Sequence, residues 1–321
     1  MKINMPPRKV AAYAAVYLFW GGSFLAIRNV VHIVPPFFAA AMRYAISGPI
    51  LLFLSFYVRK EARPTRRQIM NCLMTGVITF SLGYSVVFWA ETRLTSWLVA
   101  VLTATTFLWT YLGECLLLRT ERLSKKMLLP LLLGLAGMPL LCGASFHQGK
   151  MWSLLAILAV LLGAVTSAGG VLLIKRLEMP PSFLQTAGFQ LIFAGLTLFM
   201  FSGALGELKR LPPVSQFFSY RLLTGMAYLV FCGSIIAFTS FQWLLKHDKA
   251  TLASTTTYAH PIVAMVVGIV FAHEQRSFTQ LLGAFGLLGS VAAVWYVQAN
   301  FSPPEPVDYD ARFEADLQTS S

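Results

Sequence analysis

The chain has 321 residues, of which 57% are hydrophobic and only 12% are charged. A soluble domain carries about 25% charged residues, so a water-soluble globular protein is excluded. The net charge of +12 does not mark a nucleic-acid binder, because the basic residues are scattered through short connections and not gathered on one face.

Lys2, Arg8 and Lys9 precede the first uncharged run, Val10–Ile27. Its start resembles a signal peptide. No A-x-A-like site follows, however, and Trp20, Gly21 and Gly22 replace a plain leucine core, so an uncleaved first span is expected. The next segment, Phe37–Val58, is apolar but interrupted by Arg43. Uncharged runs then follow at Gln68–Ala90, Leu94–Gly113, Met127–Phe146, Met151–Ile174, Met179–Gly206, Leu222–Leu245, Ala250–Ala272 and Ser277–Pro304. Each is near or above the ~18 residues of a membrane-spanning helix. The expected fold class is an all-α integral membrane protein of about ten transmembrane helices. Cys72, Cys115, Cys142 and Cys232 fall inside these runs without C-x-x-C spacing. They read as buried small hydrophobes, with neither a disulfide framework nor a zinc site.

Alternate connections carry most of the Lys and Arg. One side collects Lys2, Arg8 and Lys9, then Arg59, Lys60, Arg63, Arg66 and Arg67, then Arg119, Arg122, Lys125 and Lys126, then Lys175, Arg176, Lys246, Lys249 and Arg312. The positive-inside rule then places both termini in the cytoplasm, with an even number of spans across the cell (inner) membrane. The tail, residues 300–321, holds Pro303, Pro304 and Pro306 followed by Asp308, Asp310, Glu314 and Asp316. It is expected to be disordered.

Residues 88–124 align on 241–277 without a gap, matching Phe88 with Phe241, Ala100 with Ala253, Thr103 with Thr256, Glu121 with Glu274 and Ser124 with Ser277. Earlier in each half, Pro35-Pro36-x-Phe38 echoes Pro180-Pro181-x-Phe183. The chain therefore reads as two five-helix units, 9–146 and 151–299. Five is odd, so the second unit enters the membrane from the opposite side. Such inverted repeats are a recurring plan of secondary transporters, with the site near the midplane between them.

These residues carry a resemblance to the EamA family of the drug/metabolite transporter superfamily, over nearly the whole chain outside the tail. They are Trp20-Gly21-Gly22-Ser23 in the first span, Pro36 followed by Arg43, the Ala/Thr-rich fourth and ninth spans, Pro261, and Glu121 and Glu274. The resemblance implies a ten-helix permease, many of whose relatives export amino acids, other small metabolites or drugs. It also implies central fourth and ninth spans. The family commonly has a proline in the fourth span, where this chain has Leu108 opposite Pro261.

The candidate pathway residues are Trp20, Arg43, Tyr84, Thr103, Thr256, Thr257, Tyr258 and His260. Pro261 cannot donate its backbone hydrogen bond, which frees the carbonyl of Thr257 and makes Pro261 the candidate hinge. His260 either titrates and couples protons to transport or stays neutral between helices. Glu114 is the second coupling candidate, or else a hydrated or paired carboxylate near the interface. Glu91, beside Trp89 and Arg93, suggests an interfacial ion pair. Arg43 lies about 10 Å along a helix from Pro36. It can snorkel, tie to backbone carbonyls, or receive an anionic group. Trp20, Tyr84 and Tyr258 suit a cavity wall.

The expected function is export of a small organic metabolite by alternating access. No G-x-x-x-x-G-K-[ST] phosphate loop occurs, so a gradient supplies the energy and no cofactor or metal is expected. An intramembrane enzyme is disfavoured: the aspartates are Asp248, Asp308, Asp310 and Asp316, none within a span, and neither G-x-S-x-G nor H-E-x-x-H occurs. A receptor or scaffold without flux is the other alternative. The expected partners are a small-molecule substrate and membrane lipid, with a homo-oligomer left open and no nucleic acid.

Overall fold

A computed structural model describes residues 6–119, 125–142 and 151–272, with short helical stretches between 282 and 297. Glu121, Glu274 and the tail 300–321 lie outside the described residues. Among the described residues nine long helical rods follow in order: α1 Pro7–Val31, α2 Pro36–Val58, α3 Arg66–Ala90, α4 Ser96–Leu118, α5 Lys125–Cys142, α6 Met151–Arg176, α7 Phe183–Ala204, α8 Tyr220–His247, and α9 over residues 250–272. Among the described residues there is no strand, and seven helices are long and apolar enough to cross a membrane. Leu129, Leu162, Met200 and Val270 face outward from these rods, as lipid-facing side chains do.

The starts and stops follow from local chemistry. Proline occupies the first turn of α1 and α2, where its missing N–H is no loss. At α3, Thr65 Oγ1 accepts from the Gln68 N–H at 3.2 Å, and Gln68 Oε1 accepts from the Thr65 N–H at 3.0 Å. That reciprocal pair is a capping box. Ser182 caps α7, and Arg119 stops α4 with a left-handed backbone, φ 55°.

Among the described residues four helices contain stretches wound wider than an α-helix, short ones at the ends of α2 (Leu54–Val58) and α4 (Glu114–Leu118) and longer ones inside α3 (Val77–Tyr84) and α8 (Tyr228–Phe238). Wide turns of this kind often lie at functional sites. α4 and α9 are each interrupted: α4 at Ala104 and Thr105, α9 at Thr255. Threonine hydroxyls bond carbonyls three residues back at both places, Thr103 to Ala100, Thr105 to Leu102, Thr255 to Leu252, Thr256 to Ala253 and Thr257 to Ser254. Such local bonds compete with the helical ladder. The interruption of α9 thus sits at Thr255, while Pro261 lies inside the continuous piece Thr256–Ala272.

Helix contacts are set by small residues. α2 runs along α7, where a Cβ on Gly48 would come within 2.9 Å of the Gly188 carbonyl oxygen and one on Gly195 within 3.0 Å of the Ala45 nitrogen. α3 meets α6 where a Cβ on Gly163 would lie 2.7 Å from the Gly83 carbonyl oxygen. α1 packs on α8 and α9, and α6 on α3 and α4. With no water to expel between apolar helices, close backbone approach is what gains attraction in a membrane.

Candidate functional site

The Trp20-Gly21-Gly22-Ser23 turn of α1 explains itself by what it touches. Gly21 backs onto Val263 of α9 and Gly22 onto the Tyr228 hydroxyl of α8, with no room for a Cβ at either. These two contacts turn Trp20 and Ser23 toward the centre. Trp20 Nε1 donates to the Gly233 carbonyl of α8 at 2.9 Å. Ser23 Oγ donates to the Phe19 carbonyl at 2.7 Å.

A narrow cavity of about 50 Å³ opens beside them, walled by α1, α2, α3, α7, α8 and α9. Four of the sequence candidates meet there: Trp20, Arg43, Tyr84 and His260. Residues from the wide stretches of α3 and α8 complete it, Phe80 and Tyr84 from one, Ser234 and Phe238 from the other. The wall is largely aromatic. Trp20 lies 5.0 Å from Phe241, 6.3 Å from Tyr84 and 5.7 Å edge-on from His260. Phe80 meets Phe238 edge-on at 4.9 Å and Tyr44 at 5.3 Å.

Among the described residues Arg43 brings the only formal charge to this wall. It is 8% exposed, its Nε donates to Ser234 Oγ at 2.8 Å, and its guanidinium sits 5.6 Å from the Tyr44 ring centre. The guanidinium fits because residue 233 is glycine: a Cβ there would stand 2.7 Å from Arg43 Nη2 and 2.9 Å from Ser23 Oγ. Of the three expectations for Arg43, the side chain does not snorkel to a surface. His260 is 3% exposed and its Nε2 has no hydrogen-bond partner.

The other candidates lie elsewhere. Thr103, Thr256 and Thr257 are buried at the interrupted centres of α4 and α9 and do not line the cavity. Thr257 Oγ1 also reaches the Ala104 carbonyl at 3.4 Å. Tyr258 belongs to α9, but its side chain lies outside the described residues. Glu114 is 3% exposed and caps the start of α9. Its carboxylate accepts from the Ala250 N–H at 3.0 Å, the Thr251 N–H at 2.9 Å and the Thr251 hydroxyl. A carboxylate at a helix N-terminus is stabilised by the free N–H groups and the dipole. Glu91 is likewise buried and accepts from Ser96 Oγ at 2.8 Å, while Arg93 lies over the Trp89 ring at 4.2 Å.

Sequence reasoning missed two groups. Asp248 binds Lys9 Nζ at 2.8 Å and the Tyr13 hydroxyl at 2.9 Å, while Lys175 Nζ donates to its backbone carbonyl at 2.5 Å. This knot joins α1, the end of α6 and the α8–α9 turn, closing the end of the bundle that holds the chain's start. The available signal was that Asp248 is the sole aspartate outside the tail. A second group is a buried polar string below the cavity. Gln242 Nε2 donates to Gln190 Oε1 at 2.5 Å, and Gln190 Nε2 donates to Thr75 Oγ1 at 2.8 Å, linking α8, α7 and α3. Uncharged amides inside long apolar runs were its only trace.

Among known proteins, the profile of the EamA-like transporter family matches residues 9–142 and 154–296. An Escherichia coli (strain K12) protein named uncharacterized inner membrane transporter YedA is 29% identical, covering 92% of this chain and 93% of its own length. Protein PecM of Dickeya dadantii is 24% identical over 86% of this chain and 88% of its own length. A solved crystal structure, 20% identical, superposes with a TM-score of 0.68 over 90% of this chain and 98% of its own, which shows a shared fold. Two family matches in tandem, over most of a chain of apolar helices, make this protein a member of the EamA-like transporter family, a membrane transporter and not an enzyme.

Proposed function

We propose that this protein is a secondary transporter of the inner membrane that exports a small organic metabolite by alternating access between two inverted five-helix repeats. The observation that carries the reading is the central cavity, to which Trp20, Arg43 and Tyr84 come from the first repeat and Ser234 and His260 from the second. A site shared between repeats changes its exposure when the repeats rock against each other.

The helix contacts support the repeat. α1 packs on α8 and α9, and the corresponding helix of the second half, α6, packs on α3 and α4. Extending the alignment of 88–124 with 241–277, the wide stretch Val77–Tyr84 falls opposite the wide stretch Tyr228–Phe238. Thr257 touches Ala104, its own counterpart in that alignment, as residues near a pseudo-two-fold axis must. The acids agree too. Glu61, just after α2, accepts from Ser182 at the start of α7 at 2.5 Å, and Glu207, just after α7, accepts from the Phe38 N–H at the start of α2 at 2.9 Å.

The excess of basic residues on alternate connections supports both termini in the cytoplasm. The Asp248 knot then closes the cytoplasmic end, and the cavity lies toward the outer halves of α1 and α3, where Ile27 and Val87 line it. Direction rests on the family's many exporters. The inner membrane is where the name of YedA places that relative.

Metabolite profiling of culture medium tests this reading, comparing cells that over-produce the protein with cells that lack it. The expected result is one or a few small organic solutes raised outside over-producing cells, and flux of the same solutes in proteoliposomes. Identical media and no flux of any candidate solute would leave a receptor or scaffold as the reading.

A further inference from the structure

Charge accounting in the cavity narrows the solute. Among the described residues Arg43 is the one charged residue on the wall, and no Asp or Glu lines it. Arg43 makes no ion pair among the described residues; its single side-chain hydrogen bond goes to the neutral Ser234 hydroxyl. An uncompensated cation within a membrane is expensive, and such groups in transport proteins mark sites for a counter-charge. Two features show that the guanidinium is held in place and not stranded. Gly233 omits the Cβ that would strike Nη2, and Ser234 orients Nε. A second, independent gap lies across the wall. His260 is 97% buried by difference from its 3% exposure, and its Nε2 lacks the partner that buried polar atoms normally have.

Resting on the transporter reading, we propose that the solute is a monoanionic carboxylic acid with an apolar or aromatic body and no ammonium group. The guanidinium fork takes the carboxylate through two parallel N–H···O bonds, His260 Nε2 meets a polar atom of the solute, and Trp20, Phe80, Tyr84 and Phe238 enclose the body. An α-amino acid fits this wall poorly. Its ammonium would find no carboxylate to pair with among the described residues that line the wall. A phosphate monoester fits poorly as well, since its dianion would meet a single cation.

The test is isothermal titration of the full chain in lipid nanodiscs with small phenyl compounds carrying different charges. The probes are 3-phenylpropionate, 3-phenylpropanamide, phenylalanine and phenyl phosphate. We expect 3-phenylpropionate to bind about ten-fold tighter than each of the others, the scale of one charge-assisted pair. Arg43→Gln is expected to bring the acid down to the level of the amide. Arg43→Lys, which keeps the charge in case the neutral variant does not insert, is expected to retain a preference for the acid. His260→Phe is expected to weaken acid and amide together. Equal or tighter binding of phenylalanine or phenyl phosphate overturns the proposal. So does survival of the acid preference in Arg43→Gln, or failure of the wild-type protein to bind 3-phenylpropionate at millimolar concentration. Flux of a zwitterion by a protein that fails this test would sink the carboxylate inference alone. Acid binding without flux of any solute would sink the transporter reading instead.

Discussion

A methyl group is the smallest probe of the cavity wall. At position 233 it would meet Arg43 Nη2 at 2.7 Å and Ser23 Oγ at 2.9 Å, so Gly233→Ala must displace one of them. Overpacking of this kind costs about 1–3 kcal/mol, and thermal unfolding in detergent should show it as a lowered midpoint. Gly169 in α6 is the control, because a Cβ there meets nothing within 4 Å. Gly169→Ala should be neutral or stabilising, by up to about 1 kcal/mol from its better helix propensity. A wild-type midpoint for Gly233→Ala would mean that the guanidinium is not held where the structure places it. Glu114 poses the other residue-scale question, cap or coupling group. Its carboxylate satisfies two backbone N–H groups of α9, and we expect Glu114→Gln to lower stability by about 1–3 kcal/mol while the pH profile of flux keeps its wild-type shape. A shifted profile would return Glu114 to the coupling role.

At the scale of the helix, the structure offers one closed end and two interrupted rods. The closed end depends on Asp248, which holds α1 through Lys9 and Tyr13 and meets Lys175 through its backbone. Asp248→Asn keeps the shape but removes the charge that Lys9 requires. The expected outcome is a population shift toward opening at that end. A cysteine at Phe238, with the four native cysteines replaced, should react at least about three-fold faster with an impermeant maleimide added from the side of the N-terminus. Unchanged reactivity would show that packing, not the ion pair, keeps that end shut. The interruptions of α4 and α9 carry a related lesson. Proline at 261 drew attention as the hinge, yet α4 is interrupted too, and it has Leu108 at the matched position. What the two places share is threonine bonded to its own backbone, so the interruptions go with the Ala/Thr-rich composition of both spans.

For the whole molecule the decisive property is topology. Glu61 bonds Ser182, and Gln68 Nε2 donates to Glu178 Oε1 at 3.1 Å, so the α2–α3 and α6–α7 connections share one end of the bundle. Glu207 bonds the start of α2, which puts the α7–α8 connection at the other end. Single cysteines at Arg63 and Val214 should therefore label from opposite sides of the membrane, Val214 alone reacting in intact cells. Labelling of both from one side would refute the inverted arrangement.

Seven of the spans, their order and the family were legible in the sequence, because a bilayer demands about twenty apolar residues per crossing and punctuates them with charge. Trp20, Arg43, Tyr84 and His260 were legible as candidates, because a polar or bulky amphipathic side chain in an apolar run needs a reason to be there. Only tertiary structure decided which of these candidates meet. It gathered those four into one cavity and left Thr103, Thr256 and Thr257 bonded to helix backbone, with Glu114 at a helix start. The physical reason is that a side chain's partner across a membrane bundle is fixed by helix rotation and crossing. Those are set by contacts such as Gly21 on Val263, Gly22 on Tyr228 and Gly48 on Gly188, between residues far apart in the chain, and no span by itself encodes them.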